Sequence, residues 1–271
     1  MVVETPDALG IIAGNGAYPL LLARAARSAG VKRLVAAAFT GETRPELAEA
    51  VDEIEWLRVG QLGRLLNYFR HSKVTHAMMA GQIAPKNLFD LRPDWKALLL
   101  LARVKRRNAE SLFRAIAHDL SQAGVELLPA YTFLEDLLAP AGLVAGRALS
   151  RREEADVAYG FEIVKEVSRL DIGQTVVVKN GTVLAVEAFE GTNEAMKRGG
   201  ALGRKGAVVV KSSKPNQDMR FDVPVIGPAT IAAAAEAKIR VVAVEAGRTL
   251  LLEKAELLAA AERCNISIVA R

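Results

Sequence analysis

The chain has 271 residues, of which 51% are apolar and only 5% aromatic, with a formal net charge of +5. That length supports a sizeable aliphatic core and suggests two domains, since domains commonly run to roughly 100–200 residues. A single cysteine excludes an internal disulfide framework, the apolar runs fall short of the ~18 residues of a spanning helix, and the diluted positive charge without aromatic-interleaved basic patches argues against nucleic acid. The opening "MVVETPDALGIIAG" lacks the charged n-region and long apolar run of a secretory signal, so a cytoplasmic protein is expected.

In chain order, "ALGIIAG" predicts a buried strand, residues 18–29 a helix, "RLVAAAF" a second strand, residues 60–70 a helix and "THAMMAGQI" a third strand. Residues 95–124 predict a long helical stretch ahead of a further strand, "VELLPAY". Strands alternating with helices imply a parallel sheet covered on both faces, which makes this half Rossmann-like. The pattern breaks at "LAPAGLVAGRALSRREE", where Pro140, Gly142 and Gly146 separate two periodic regions and Ser150 with Glu153 forms a capping-box start for the next helix. A hairpin follows in "QTVVVKNGTVLAVEA", with Asn180 and Gly181 supplying the positive φ of a tight turn. Strands near 207–210 and 241–244, a helix from Pro228, and a closing helix and strand in "AELLAAAERCNISIVA" complete the chain. Cys264 is expected to be a buried structural thiol in that helix. The expected fold class is α/β in two domains with a ligand cleft between them. An N-terminal Rossmann-like parallel sheet spans residues 1–138, and a mixed α/β domain spans residues 139–271, where catalysis and lipid binding are expected.

The loop "AGNGAYP" follows a strand and opens a helix, so Gly14, Asn15, Gly16 and Ala17 can bring backbone amides to a phosphate at the positive helix end. The third glycine of a dinucleotide fingerprint is missing, with Pro19 in its place, and an ordinary strand-to-helix turn is the alternative. "AGQIAPKN" ends another strand in the same way, so Gly81 and Gln82 are expected to converge with the first loop at the ligand edge of the sheet. Asp171, Gln174, Glu187, Glu190 and Thr192 bracket the hairpin; Glu187 interrupts an apolar strand and needs polar partners there, whereas Thr192 suits a helix cap. "KPNQDMRFDVPVIG" then sets Lys214, Gln217, Arg220 and Asp222 close behind Lys211. Cutting a pyrophosphate requires cations or a metal beside a carboxylate, and these side chains supply both, although a solvated charged loop has the same composition. Asp222 differs from the rest because its neighbours are apolar.

Together the phrases "LGIIAGNGAYP", "RLDIGQTVVV", "LAVEAFEGTNEAM", "KPNQDMRFDVPVIGPATI" and "VVAVEAGRTLLL" resemble the LpxI-type UDP-2,3-diacylglucosamine pyrophosphatases of lipid A biosynthesis. The resemblance runs through nearly the whole chain. It implies hydrolysis of UDP-2,3-diacylglucosamine to UMP and 2,3-diacylglucosamine 1-phosphate, with magnesium or another divalent cation, by two domains that hold the lipid between them. The essential aspartate of that family's "VDLP"-like motif falls on Asp222 of "FDVP", which is the candidate for metal ligation or water activation. The chain departs from the pattern at "RRNAESLF", where Arg107, Asn108, Ala109 and Glu110 replace an expected acidic pair, so no metal ligand is assigned there. A non-catalytic carrier of an acylated sugar phosphate and a nucleotide-sugar transferase remain the alternative functions, and a homodimer is compatible with the resemblance. The segment "DWKALLLLARVKRRN" suggests peripheral contact with the cytosolic face of the inner membrane; an internal helix with a basic outer face is its alternative.

Overall fold

Short aliphatic runs with no polar face can hide both sides only in a covered sheet, and the inner strands of the first sheet are such runs. A computed structural model describes residues 5–83, 93–104, 109–215 and 217–271, side chains 109 and 110 excepted. In it the chain divides into two compact units. One runs to Leu134 and also takes in Asp218–Asp222; the other comprises Glu135–Gln217 and Val223–Arg271.

The first unit contains β1 (Ala8–Ala13), α1 (Tyr18–Ser28), β2 (Arg33–Phe39), β3 (Glu53–Leu57), α2 (Leu62–His71), β4 (His76–Ala80), α3 (Trp95–Arg103), α4 (Ala109–Gln122) and β5 (Glu126–Leu127). Its strands pair in parallel in the order β3-β2-β1-β4-β5, the expected Rossmann-like arrangement. The order reverses between β1 and β4, so the crevice at their carboxyl ends is the switch point at which such sheets bind ligands. Ile12, Val35, Ala77 and Met79 are buried in these strands, and Phe69 and Leu120 pack on them from α2 and α4.

Three details depart from the sequence expectations. β3 was not anticipated, because Glu53 and Glu55 give an edge strand the look of a polar loop. The strand expected in "VELLPAY" is only two residues long, since Pro129 has no N–H with which to continue a ladder. The long helical stretch at 95–124 is two helices: Val104 leaves α3 in an extended conformation (ψ 114°) and packs its side chain into the first unit's core.

The second unit contains β6 (Gly142–Ala145), α5 (Arg151–Arg169), β7 (Thr175–Lys179), β8 (Thr182–Val186), α6 (Thr192–Gly203), β9 (Ala207–Lys211), β10 (Val225–Ile226), α7 (Pro228–Glu236), β11 (Ile239–Val244), β12 (Leu250–Leu251), α8 (Lys254–Arg263) and β13 (Ser267–Ala270). Its main sheet is mixed, in the order β6-β13-β11-β9-β7-β8; β9, β11 and β13 run parallel, while β6 and β7 oppose their neighbours. The β7–β8 hairpin turns at Asn180 (φ 48°) and Gly181 (φ 71°), as expected, and the buried Asp156 carboxylate accepts both of their amides at 2.8 and 2.7 Å. Cys264 is exposed, against expectation. It continues the buried stripe of Leu257, Ala260 and Ala261 in helical spacing, but α8 stops at Arg263 and Asn265 turns to φ 54°, which takes residue 264 off that stripe.

Ser150 and Glu153 form the anticipated capping box of α5. Burial pushes the Glu153 carboxyl up, yet the two-pronged contact from Arg147 and the bonds to Ser150 outweigh it and hold the pKa at about 2, below the ordinary 4.5. A depressed carboxyl pKa contributes stability that is complete above the unfolded-state value, and this contribution is lost as pH falls from 4.5 towards about 2. Ser150→Ala is therefore expected to cost about 1 kcal/mol at neutral pH. Glu153→Gln should flatten the acid limb of stability in that window. Chemical denaturation across the acid range measures both, and a Glu153→Gln limb superimposable on wild type would count against the capping charge.

Candidate functional site

In the first unit, the chain leaves β1 at Gly14 and leaves β4 at Gly81, and the two loops meet. Gly14 donates to the Ala80 carbonyl at 2.8 Å, Asn15 donates to the Gln82 carbonyl at 2.7 Å, and Asn15 and Gln82 form an isolated antiparallel bridge. Glycine is required on both sides. A Cβ on Gly14 would lie 2.6 Å from the Gln82 carbonyl oxygen, and one on Gly81 would lie 2.8 Å from the Gly14 carbonyl carbon at φ +90°. Gly16 (φ +92°) faces open space, and Ala17 stands at the N-terminus of α1 with Pro19 in the first turn. The Gly14 and Asn15 amides are spent on joining the loops, which sets the Gly16 and Ala17 amides and the N-terminus of α1 at the switch point, an arrangement suited to an anion.

Tyr18 begins α1 directly behind that loop. Its buried hydroxyl donates to the Ala130 carbonyl, and burial pushes the phenol pKa well up. The Ala130 amide donates to the Met219 carbonyl at 2.7 Å, so one residue ties the α1 end to the Asp218–Asp222 segment. Phe221 stacks on Phe113 at 5.7 Å between ring centroids. Within the segment, Arg220 grips the Asp218 carboxylate with two bonds, 2.9 and 2.6 Å long, and this contact holds the Asp218 pKa below the usual carboxylate range. Asp222 donates its amide to the Asp218 carbonyl at 3.1 Å. Arg220, expected to balance phosphate charge, therefore already faces a carboxylate.

In the second unit, Lys211 is the last residue of β9, pairs with Thr175 at the start of β7, and sends its ammonium to the Val225 carbonyl at 3.2 Å. Lys214 forms an ion pair with Asp171. Its amide donates to the Gln217 side-chain oxygen at 2.6 Å, and Gln217 is buried. Gln174 accepts from the Ser212 amide at 3.0 Å and donates its own amide to Glu187 at 3.3 Å. Glu187 also accepts from the Thr192 hydroxyl at 3.0 Å, the polar partners its place in the sequence demanded. The structure thus gathers Asp171, Gln174, Glu187, Thr192, Lys211, Lys214 and Gln217 along one edge of the second sheet. Glu190 instead pairs with Arg198 at 2.6 Å in an exposed contact that holds its carboxyl pKa down. Thr192 is not a cap: Gly191 takes that position with no side-chain bond, because Glu187 engages the threonine hydroxyl.

Sequence reasoning overlooked Ser212, Ser213, Glu245 and Arg248 on the same edge. Glu245 follows β11, whose Val244 pairs with Lys211, so strand register brings it beside "KSS" from a distant part of the chain. It accepts from the Ser213 amide at 2.9 Å, from the Ser212 hydroxyl at 3.1 Å and from the Ser213 hydroxyl. Arg248 donates to the Ser213 hydroxyl at 2.8 Å and stands 3.8 Å from Glu245. Burial pushes the Glu245 pKa up, but these serine bonds and Arg248 outweigh it and hold the carboxyl below its ordinary value. The sequence signal was a carboxylate at the end of the apolar run "VVAVE".

Among the described residues no group of three or more His, Cys, Asp or Glu is placed to hold a metal ion. That donor set does not amount to a protein cage, but magnesium is commonly bound through one or two carboxylates plus substrate phosphates, which the single carboxylate of Asp222 fits. Arg107 and Asn108 of the divergent segment and the side chain of Glu110 lie outside the described residues.

A parallel α/β unit with loops gathered at its switch point, followed by a mixed α/β unit carrying lysines at one sheet edge, defines a two-domain α/β protein suited to a phosphorylated ligand. Residues 8–137 match the family model of the LpxI N-terminal domain, and residues 140–269 match that of the LpxI C-terminal domain. UDP-2,3-diacylglucosamine pyrophosphatase LpxI of Caulobacter vibrioides is 30% identical over 276 aligned positions, covering 96% of each chain. The chain belongs to the LpxI family.

Proposed function

We propose that the protein hydrolyses UDP-2,3-diacylglucosamine to UMP and 2,3-diacylglucosamine 1-phosphate, a step of lipid A biosynthesis. The observation that carries this reading is the end-to-end correspondence with the Caulobacter vibrioides relative named for that activity. The geometry supports it. The paired loops of Gly14–Ala17 and of Gly81 and Gln82, with the Gly16 and Ala17 amides at the N-terminus of α1, suit a phosphorylated head group, and Lys211 and Lys214 suit the charge that develops as the anhydride breaks. Asp222 is the proposed catalytic carboxylate: it takes a proton from the attacking water, or it holds a divalent cation, which when bound would polarise the phosphates. Purified protein given the acylated UDP-sugar in mixed micelles, with magnesium or with chelator, should release UMP and the acyl-sugar phosphate in equal amounts without any acceptor. Release of UDP, a requirement for an acceptor, or binding without turnover would overturn the hydrolase reading in favour of a glycosidase, a transferase or a carrier respectively.

Such a substrate is anchored in a bilayer, and α3 offers a way to meet it. Trp95, Leu98 and Leu99 are exposed on one helical stripe, while Ala97 and Leu100 anchor the opposite side in the core, so the run of four leucines is split between solvent and interior. No helix among the described residues is long and apolar enough to cross a membrane. The exposed stripe, with Lys96 and Arg103 on the same helix, fits an interfacial contact with anionic lipid. Lys105, Arg106 and Arg107, the other basic residues of this stretch, lie outside the described residues. Binding to phosphatidylcholine vesicles is expected to rise with phosphatidylglycerol content, and to fall in a Trp95→Ala, Leu98→Gln, Leu99→Gln variant that still hydrolyses detergent-dispersed substrate. Equal vesicle binding by the two proteins would return α3 to a packing role.

A further inference from the structure

We propose that Glu245 is a positioning residue that fixes the phosphate-binding lysine Lys214 by clamping the turn joining β9 to it; this rests on the hydrolase reading above. Between Lys211, held by the β7 ladder, and Lys214, held by Asp171, the chain has only Ser212 and Ser213. All three donors that this dipeptide directs at Glu245, two hydroxyls and one amide, converge on a single carboxylate oxygen. Ser212 and Ser213 are themselves buried (0% and 4% exposed), so bulk solvent is largely kept from those bonds. Arg248 closes the cluster by donating to the Ser213 hydroxyl from beside the same carboxylate. The direction of the Lys214 side chain is therefore set from two sides, by Asp171 at its ammonium and by Glu245 through its backbone. The carboxylate itself acts on no reacting atom in this scheme. Preorganising a cation in this way cuts the cost of ordering it when the anion arrives.

A double-mutant cycle separates this role from general support of the fold. Lys214→Ala and Glu245→Gln are each expected to raise KM by about 10-fold or more, the size of a lost charge-assisted contact. Added to Lys214→Ala, Glu245→Gln should change kcat/KM by less than about 2-fold, because its effect passes through the lysine that is already gone. Additive losses, or a Glu245→Gln enzyme with wild-type KM, would overturn the proposal. The same cycle read by calorimetric binding of inorganic pyrophosphate requires no turnover, so a wild-type protein that releases no UMP defeats the hydrolase reading while the clamp is still judged. Should Glu245→Gln fail to fold, Ser213→Ala removes the hydroxyl shared by Glu245 and Arg248 and completes the cycle in its place.

Discussion

Asp222→Asn is expected to lower kcat by about 10²- to 10⁴-fold, the range for loss of a positioned acid–base group, while KM stays within a few-fold of wild type. Asparagine keeps the shape of the side chain and removes its charge, so whatever the carboxylate does in the transition state is lost and ground-state binding is largely spared. The neighbouring Asp218 is the internal control. It lies in the same five-residue segment, but Arg220 holds it in a two-bond pair and keeps its pKa low, which makes it a poor proton acceptor. Asp218→Asn should loosen the turn yet retain turnover within about 10-fold of wild type, since it removes a partly exposed ion pair and no reacting group. Steady-state kinetics on both variants decide the matter. If Asp222→Asn keeps its rate and Asp218→Asn loses it, the catalytic assignment passes to the other carboxylate.

What the sequence revealed of this molecule follows the range of the interactions involved. β2 is readable end to end because "RLVAAAF" is a local pattern, and the β7–β8 turn is readable because Asn180 and Gly181 need positive φ whatever surrounds them. The meeting of Gly14 with Gly81 could be anticipated from two glycine-bearing strand ends in a predicted parallel sheet. The return of Asp218–Asp222 to the first unit could not, since it depends on Met219 finding Ala130 and Phe221 finding Phe113, pairings that leave no mark on local periodicity. Glu245 was missed for a related reason: only the β9–β11 register sets it beside Ser212. Charge in the sequence also said little about charge in the site. Arg220 and Lys214 looked alike as phosphate partners, yet each already faces an aspartate of its own unit, and only the folded chain shows which.

The two glycine-bearing loops at the switch point can be tested by separating backbone strain from crowding. Gly16→Ala introduces a side chain at φ +92° into open space, so its cost is strain alone, about 1 to 3 kcal/mol. Gly14→Ala has no positive φ to offend, but it drives a Cβ to within 2.6 Å of the Gln82 carbonyl oxygen and 2.8 Å of the Gly81 carbonyl carbon. Those are backbone atoms and cannot swing aside as a side chain would, so the loops must part and the Asn15–Gln82 hydrogen bond must lengthen. Gly81→Ala combines both penalties, at φ +90° and against the Gly14 and Asn15 backbone. It is expected to be the most destabilising of the three, and to lose affinity for UMP as well, because parting the loops displaces the Gly16 and Ala17 amides at the N-terminus of α1. Urea denaturation gives the order of stability, and UMP binding to the folded variants gives the functional cost. If Gly81→Ala proves no worse than Gly16→Ala on both measures, the close approach of the two loops contributes nothing, and the switch-point site loses its structural basis.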